Sequence, residues 1–219
     1  ENMFENRDTS KPFFLFNVTM QNHGGYAMSY ANFAQEVYVT NMSTVYPKAN
    51  RYLSLVKRSD DAFRELTEYF SQVTEPTIIC MFGDHLPSIE DEFYEELFGC
   101  SLDQLSTQQQ QLRYTTPFVI WANYDIPEAT LNQISANYLS TLLLQTAKLP
   151  LTQYNKYLAS LYQKLPIINT VGYVDSDNNY YSHSDSSDYD DELYQYHCLV
   201  YNSLIDRENR DNSVFFLNQ

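Results

Sequence analysis

Residues 77–85 read Thr77-Ile78-Ile79-Cys80-Met81-Phe82-Gly83-Asp84-His85. The first six are a continuous apolar and β-branched run, too short for a helix, which predicts a strand buried on both faces. Gly83 permits a sharp bend directly after that strand. The bend brings Asp84 and His85 to the strand end, where a carboxylate and an imidazole can both face a divalent cation.

Two other runs have the same character. Phe13–Met20 is apolar and aromatic, and it ends at Gln21-Asn22-His23-Gly24-Gly25. Pro117–Ala122 is the third run, and a polar loop follows it. We expect both runs to be buried strands.

Apolar residues at intervals of three and four predict helices between and after these strands. The predicted helices cover residues 49–73, 89–98, 130–147, 154–165 and 190–204. Strands that alternate with long helices indicate an α/β fold with a largely parallel sheet flanked by helices. An Asx-rich turn between residues 167–174 and 180–182 predicts a small C-terminal antiparallel hairpin. The main α/β part would be residues 1–165, and the hairpin and last helix residues 166–219.

The loops that follow parallel strands meet at one edge of the sheet, where ligands bind. His23 and the pair Asp84–His85 would therefore lie at the same edge. A hard carboxylate and a borderline imidazole suit Mn, Zn or Mg. The alternative is structural, with a hydrogen-bonded turn histidine at each position and Asp84 capping its loop.

Other candidate sites are excluded or receive no role. Residues 175–186 begin like a calcium loop, but Tyr180 and Ser186 stand where an EF-hand has Gly and Glu. The three cysteines are an odd number without a C-x-x-C pair, so neither a disulfide framework nor a cysteine zinc site is indicated. His183 and His197 have no partners in the sequence.

The composition restricts the partners. With 28 Asp and Glu against 13 Lys and Arg, the formal net charge is −15, which makes nucleic acid an unlikely partner. No apolar run approaches the roughly 18–20 residues that span a bilayer, so we expect a soluble chain. Residues 1–8 lack the pattern of a signal peptide and resemble the interior of a longer protein.

Three segments carry a specific resemblance. The sequences PFFLFNVTMQNHGGY at residues 12–26, IICMFGDH at 78–85 and YTTPFVIWANYDI at 114–126 resemble the sulfatase-like phosphoglycerol transferases of the lipoteichoic acid synthase family. That family belongs to the alkaline phosphatase superfamily. The order of the segments and the helix between the first two agree with it, and the likeness extends to about Asp206.

The resemblance implies the C-terminal portion of one sulfatase-like catalytic domain. In this family, Asp84 and His85 would ligate one divalent cation, most often Mn, and His23 would contact the phosphoglycerol head group. The threonine nucleophile and the remaining acidic ligand would precede residue 1. The parent would be extracellular and anchored in a bacterial membrane by N-terminal transmembrane helices.

These expectations lead to a function for the parent rather than for the chain alone. The parent would transfer glycerophosphate from a phosphatidylglycerol-like lipid to a polymer or glycan acceptor in cell-envelope synthesis. The chain by itself would be inactive and would bind metal weakly, because two protein ligands are too few. The alternatives are a sulfatase or phosphoethanolamine transferase on the same fold, or a non-catalytic wall-associated binding module.

Overall fold

The computed structural model describes residues 1–28 and 31–217. The chain forms two compact units. Unit 1 comprises Glu1–Leu105 and Thr115–Tyr124, and unit 2 comprises Ser106–Tyr114 and Asp125–Gln219. The division at residues 165 and 166 stays a prediction.

Unit 1 contains three α-helices, one 3₁₀ turn and two strands among its described residues. They are α1 (Asn2–Glu5), α2 (Pro47–Ser71), β1 (Ile78–Phe82), α3 (Asp91–Phe98), the turn Leu102–Gln104 and β2 (Phe118–Ala122). The helices predicted over residues 49–73 and 89–98 are confirmed as α2 and α3.

Helix α2 organises the loop that precedes it. The Glu90 carboxylate accepts the N–H groups of Lys48 (2.7 Å) and Ala49 (3.1 Å), two donors that a helix start leaves without internal partners. In the same first turn, the buried Asn50 side-chain oxygen accepts the N–H of Val39 at 2.7 Å. The irregular chain before α2 is thus held by polar side chains of the helix.

The predicted parallel sheet is wrong, because β1 pairs with β2 in the antiparallel direction. The two strands are antiparallel, with Ile78 opposite Ala122 and Phe82 opposite Phe118, and every strand pair of the described residues is antiparallel. The pairing continues one residue beyond these strands, because the Gly83 N–H donates to the Pro117 carbonyl at 3.1 Å. The end of β1 therefore lies beside the start of β2. An apolar run predicts a strand but carries no information about its direction.

The expected burial of β1 is also wrong. Met81 and Phe82 are 38% and 41% exposed. The sheet has only two strands among the described residues, so neither face of β1 is covered completely.

Residues 13–20 do not form the strand that the sequence predicts. Phe14 is 85% exposed and Phe16 67% exposed, and no described residue pairs with this segment in a sheet. A strand is defined by hydrogen bonds to a neighbouring strand, which the apolar pattern of one segment cannot specify.

Unit 2 contains five α-helices, one 3₁₀ turn and three strands among its described residues. They are α4 (Thr107–Leu112), α5 (Ala136–Thr146), α6 (Gln153–Tyr162), β3 (Ile167–Ile168), β4 (Gly172–Val174), β5 (Tyr180–Ser182), α7 (Asp190–Leu204), the turn Arg207–Asn209 and α8 (Asn212–Phe215). Its core packs around Tyr138, Leu158, Leu161, Leu165 and Tyr173. The predicted hairpin is confirmed as β4–β5, but residues 167–174 form two antiparallel strands rather than one, and β3 joins the sheet in the order β3-β4-β5.

Two boundaries in unit 2 differ from the sequence prediction. Helix α5 begins at Ala136 rather than near residue 130, because the hydroxyl of Ser135 accepts the Ile168 N–H at 2.6 Å and its N–H donates to Pro166. Helix α4 covers the glutamine tract of residues 108–111, where no helix was predicted. Ser106 and Gln109 form its capping box, a pattern visible in the sequence.

No helix among the described residues has the length and apolar character that crossing a bilayer requires.

The β4–β5 turn is built around Asp175. This side chain is 2% exposed, and its carboxylate accepts the N–H groups of Asp177 and Asn179, both at 2.9 Å, and the Tyr181 hydroxyl at 3.1 Å. Burial alone would raise the pKa of Asp175, but hydrogen bonds led by those of Asn179 outweigh it and lower this pKa below its usual value.

We expect Asp175→Ala to lower the free energy of unfolding at pH 7 by about 1–3 kcal/mol, because several part-buried hydrogen bonds to a charged acceptor are lost. The folded pKa lies below the unfolded one, so the stabilisation is present above the unfolded pKa and is lost as pH falls through the folded pKa. Urea unfolding at pH 7 and pH 3 measures this. The matched control is Asp177→Ala, which removes an exposed carboxylate. A stability loss for Asp175→Ala that does not change with pH would contradict the role assigned to its charge.

Candidate active site

The loop of residues 21–28, which we call the His23 loop, is fastened to helix α2. Asn22 donates its side-chain N–H to the Ser59 hydroxyl at 3.0 Å, and Arg51 Nη1 donates to the Tyr26 carbonyl at 2.6 Å. Tyr26 is 6% exposed and donates its hydroxyl to the Asn22 carbonyl, which closes the loop on itself. These bonds fix the backbone on both sides of His23.

Two glycines give the His23 loop its path. Gly24 and Gly25 have φ angles of +45° and +75°, in the left-handed region where side chains with a Cβ are strained. Without side chains, these two glycines also allow backbone to approach a ligand closely. Their conformation turns the chain back toward α2 within two residues.

A cavity of about 720 Å³ lies between the His23 loop and α2. His23 lines it from the loop, and Arg51 and Arg58 line it from the helix. The arginines are seven residues apart, so they occupy one face of α2. The cavity therefore combines an imidazole and two permanently charged guanidinium groups with the carboxylates of Asp61 and Glu65, which line it from the same helix.

The second predicted site follows β1. Packing requires glycine at position 83, because a Cβ there would lie 2.9 Å from Thr116 Cβ. The Thr116 hydroxyl also donates to the Gly83 carbonyl at 2.7 Å. This contact with the chain entering β2 fixes the bend from which Asp84 and His85 project.

The side chains of Asp84 and His85 are exposed and oriented by the backbone. Asp84 Oδ1 accepts the His85 N–H at 2.9 Å, and His85 Nδ1 lies 2.9 Å from the Leu86 carbonyl. A hydrogen bond to that carbonyl requires the proton on Nδ1, which leaves the lone pair on Nε2. Nε2 and Asp84 Oδ2 then face each other at 3.6 Å.

This arrangement fits part of a metal site. Imidazole nitrogen and carboxylate oxygen contact zinc-like ions at about 2.0–2.2 Å, so two donors 3.6 Å apart can reach one ion together. Across residues 1–28 and 31–217 there is no group of three or more His, Cys, Asp or Glu able to hold a metal. Asp84 and His85 would thus supply two ligands, and others must complete the coordination.

The two predicted sites converge on one hydrophobic cluster of unit 1. Tyr26 from the His23 loop and Ile89 belong to this cluster, and Leu86 packs against it directly after His85. Burial raises the pKa of the Tyr26 hydroxyl, and the negative charge of Asp84 contributes a smaller rise in the same direction. His23 and the pair Asp84–His85 are therefore carried by loops that share a packed core.

Neither of the two cavity arginines was predicted from the sequence. Arg51 and Arg58 belong to the helix that it predicted correctly, but only the apolar face of that helix was interpreted. The spacing of seven residues between two arginines, on the first long helix after the His23 loop, is the signal that could have identified them.

The family model for sulfatases matches residues 1–149, so the chain belongs to the sulfatase family. A putative cyclic β-1,2-glucan modification protein of Rhizobium meliloti (strain 1021) is 29% identical over 171 residues, which cover 74% of this chain and 26% of that protein. The phosphoglycerol transferase GacH of Streptococcus pyogenes, solved in complex with sn-glycerol-1-phosphate, superposes with a TM-score of 0.63 at 18% identity.

The superposition covers 95% of this chain and 50% of GacH. It confirms the alkaline phosphatase/sulfatase-like fold and its partial extent. The chain thus spans about a quarter of the curated relative and half of the solved structure. The roles of His23, Asp84 and His85 stay predictions.

We expect Mn²⁺ to bind weakly at Asp84 and His85 in the chain alone, since only two donors face the ion. Paramagnetic broadening of backbone NMR signals on Mn²⁺ addition should be strongest at residues 83–86. Asp84→Ala and His85→Ala should each remove it, whereas Asp60→Ala, which removes an exposed carboxylate on α2, should not. Broadening that persists in both site variants would contradict the assignment.

Proposed function

We propose that this chain is part of a metal-dependent phosphoglycerol transferase that acts on a phosphatidylglycerol-like lipid at the outer face of a bacterial membrane. The observation that carries this proposal is the cavity in which His23, Arg51 and Arg58 meet. A phosphodiester with a glycerol head group needs positive donors for its oxygens and a hydrogen-bonding group for its hydroxyls, and the cavity offers both.

The arginines would hold the phosphoryl oxygens. Guanidinium groups match phosphate in charge and geometry, and they remain charged at all physiological pH values. Arg58 is paired with Glu36 and is 46% exposed on its side chain, so it can turn toward a ligand without leaving a buried carboxylate unpaired. Arg51 has a second function, because its bond to the Tyr26 carbonyl also positions the His23 loop.

Asp84 and His85 would hold the divalent cation, with Mn as the first expectation and Mg or Zn as alternatives. Such an ion lowers the pKa of a bound hydroxyl and offsets charge on phosphoryl oxygens. The contribution of this chain is to present Nε2 of His85 and Oδ2 of Asp84 in a fixed orientation.

The covalent step needs a nucleophile that the family resemblance places outside this chain. In the proposed reaction a threonine hydroxyl loses its proton and its oxygen forms a bond to phosphorus. The bond from phosphorus to the diacylglycerol oxygen breaks, and that oxygen takes up a proton. An acceptor hydroxyl then attacks phosphorus, loses its proton and releases the threonine. His23 would keep the glycerol head group in place through both steps.

A glycan is the acceptor that we favour. The relative from Rhizobium meliloti is described as a putative cyclic β-1,2-glucan modification protein. A hydroxyl of a glucose residue can accept glycerophosphate by the same displacement at phosphorus. A lipoteichoic-acid-like polymer is the alternative acceptor.

The first experiment uses the protein extended toward its amino terminus by about 150–200 residues. We expect Mn²⁺-dependent release of diacylglycerol from phosphatidylglycerol, abolished in Asp84→Ala and in His85→Ala. Lys156→Ala is the control, because it removes an exposed charged side chain of helix α6 that does not line the cavity. A folded protein that releases no diacylglycerol with any divalent cation would refute the lipid substrate. Activity on sulfate esters or phosphatidylethanolamine would then support the alternatives on this fold.

The cavity makes a separate prediction for binding. Arg58→Ala should weaken the affinity for sn-glycerol-1-phosphate about 10-fold or more, because a charge-assisted hydrogen bond is lost. Lys156→Ala should leave the affinity nearly unchanged. Calorimetric titration of both variants measures the difference. Equal effects of the two substitutions would show that Arg58 acts only through the general surface charge.

A further inference from the structure

Unit 2 contains a cavity of its own, of about 480 Å³, beside the hairpin β4–β5. This volume lies within the range of small-molecule sites. Leu193 and Val200 of α7 and the ring of Tyr173 of β4 form its apolar floor. The two helix residues are seven positions apart and so share one face of α7. We call this cavity the hairpin pocket.

The rim of the hairpin pocket presents hydrogen-bond acceptors. His183 Nε2 lies 2.7 Å from the Asn169 carbonyl, which requires the proton on Nε2 and leaves Nδ1 as an acceptor. The Asn169 side chain is held in turn, since its oxygen accepts the Val171 N–H at 2.9 Å. The orientation of His183 is therefore set by a turn that the strand β4 anchors.

Two carboxylates complete the rim, and each accepts a backbone N–H through one of its oxygens. Asp185 Oδ2 accepts the Ser182 N–H at 2.7 Å, and Asp190 Oδ1 accepts the Ser187 N–H at 3.2 Å. No described residue donates a hydrogen bond to the second oxygen of either carboxylate. The pocket thus combines an apolar floor with three acceptor groups whose positions are set by the backbone.

The charge of the pocket narrows the class of ligand. Among the described residues that line it there is no Lys or Arg, so a phosphate or another anion would meet only negative charge. The carboxylates and the imidazole also do not converge as a metal-binding group within the described part of the chain. A neutral ligand with several O–H donors and an apolar face satisfies both constraints.

We propose that the hairpin pocket binds a neutral saccharide. The sugar hydroxyls would donate to His183, Asp185 and Asp190, and the C–H face of the ring would lie on the apolar floor. The binding itself is argued from unit 2 alone. Its role as the place that holds a glycan acceptor rests on the proposed function.

The test is an NMR titration of the chain with neutral glucose disaccharides of β-1,2, β-1,3 and β-1,4 linkage, without metal and without lipid. We expect saturable shifts of signals from residues 183–200 for at least one disaccharide. Asp185→Ala should weaken the affinity about 10-fold. Val200→Trp should fill the floor and abolish binding. Tyr194→Ala is the matched control on α7, because Tyr194 is 68% exposed and does not line the pocket.

The outcomes separate this inference from the proposed function. Disaccharide binding that Asp185→Ala weakens supports the pocket even if the extended protein releases no diacylglycerol. Binding that Asp185→Ala and Val200→Trp leave unchanged would place the sugar elsewhere and overturn the inference. No shifts with any disaccharide, or stronger shifts with sn-glycerol-1-phosphate at the same residues, would overturn it as well.

Discussion

The attachment of the His23 loop to helix α2 is the interaction on which the candidate site depends. Asn22 reaches Ser59, and Arg51 reaches the Tyr26 carbonyl, so both ends of the loop are tied to one helix. Without these bonds, His23 would belong to an exposed loop with two left-handed glycines. With them, His23 faces the same cavity as Arg58, and Tyr26 joins the hydrophobic cluster beside the Asp84–His85 bend.

The cavities of the two units differ in the charged residues that line them, although the chain as a whole is acidic. Unit 1 gathers two of the 13 basic residues at the His23 cavity, together with two potential metal ligands nearby. Unit 2 presents an apolar pocket whose polar rim consists of carboxylates and imidazoles. Under the proposed function, the arginines of unit 1 would bind an anionic head group beside the carboxylates of Asp61 and Glu65, and the hairpin pocket would bind a neutral sugar. The net charge of −15 does not reveal this difference between the two cavities.

The sequence predicted elements well where the signal was local. The long helix α2, the hairpin β4–β5 and the bend after β1 follow from apolar spacing, Asx residues and a glycine. Strand direction was wrong, because β1 and β2 carry similar apolar runs and only their pairing defines orientation. Residues 13–20 were predicted as a strand because their composition indicates burial, but pairing depends on a neighbour that the segment does not encode.

The candidate site, too, could be predicted only where its signal is local in the sequence. His23, Asp84 and His85 were selected by their positions after predicted strands, and the family resemblance then suggested their roles. Arg58 carries no motif and becomes noticeable only when α2 is folded against the His23 loop. Likewise, His183 had no partner in sequence, whereas the structure orients its ring by the Asn169 carbonyl.

The central claim is that the bend after β1 and the His23 loop form one site for a cation and an anionic head group. A crystal structure with Mn²⁺ and sn-glycerol-1-phosphate, located by anomalous scattering, tests it most directly. Our account predicts manganese in contact with both Nε2 of His85 and Oδ2 of Asp84, and phosphate oxygens bound by Arg58 in the cavity that His23 lines. Manganese bound away from these two atoms, or glycerol phosphate outside that cavity, would contradict it.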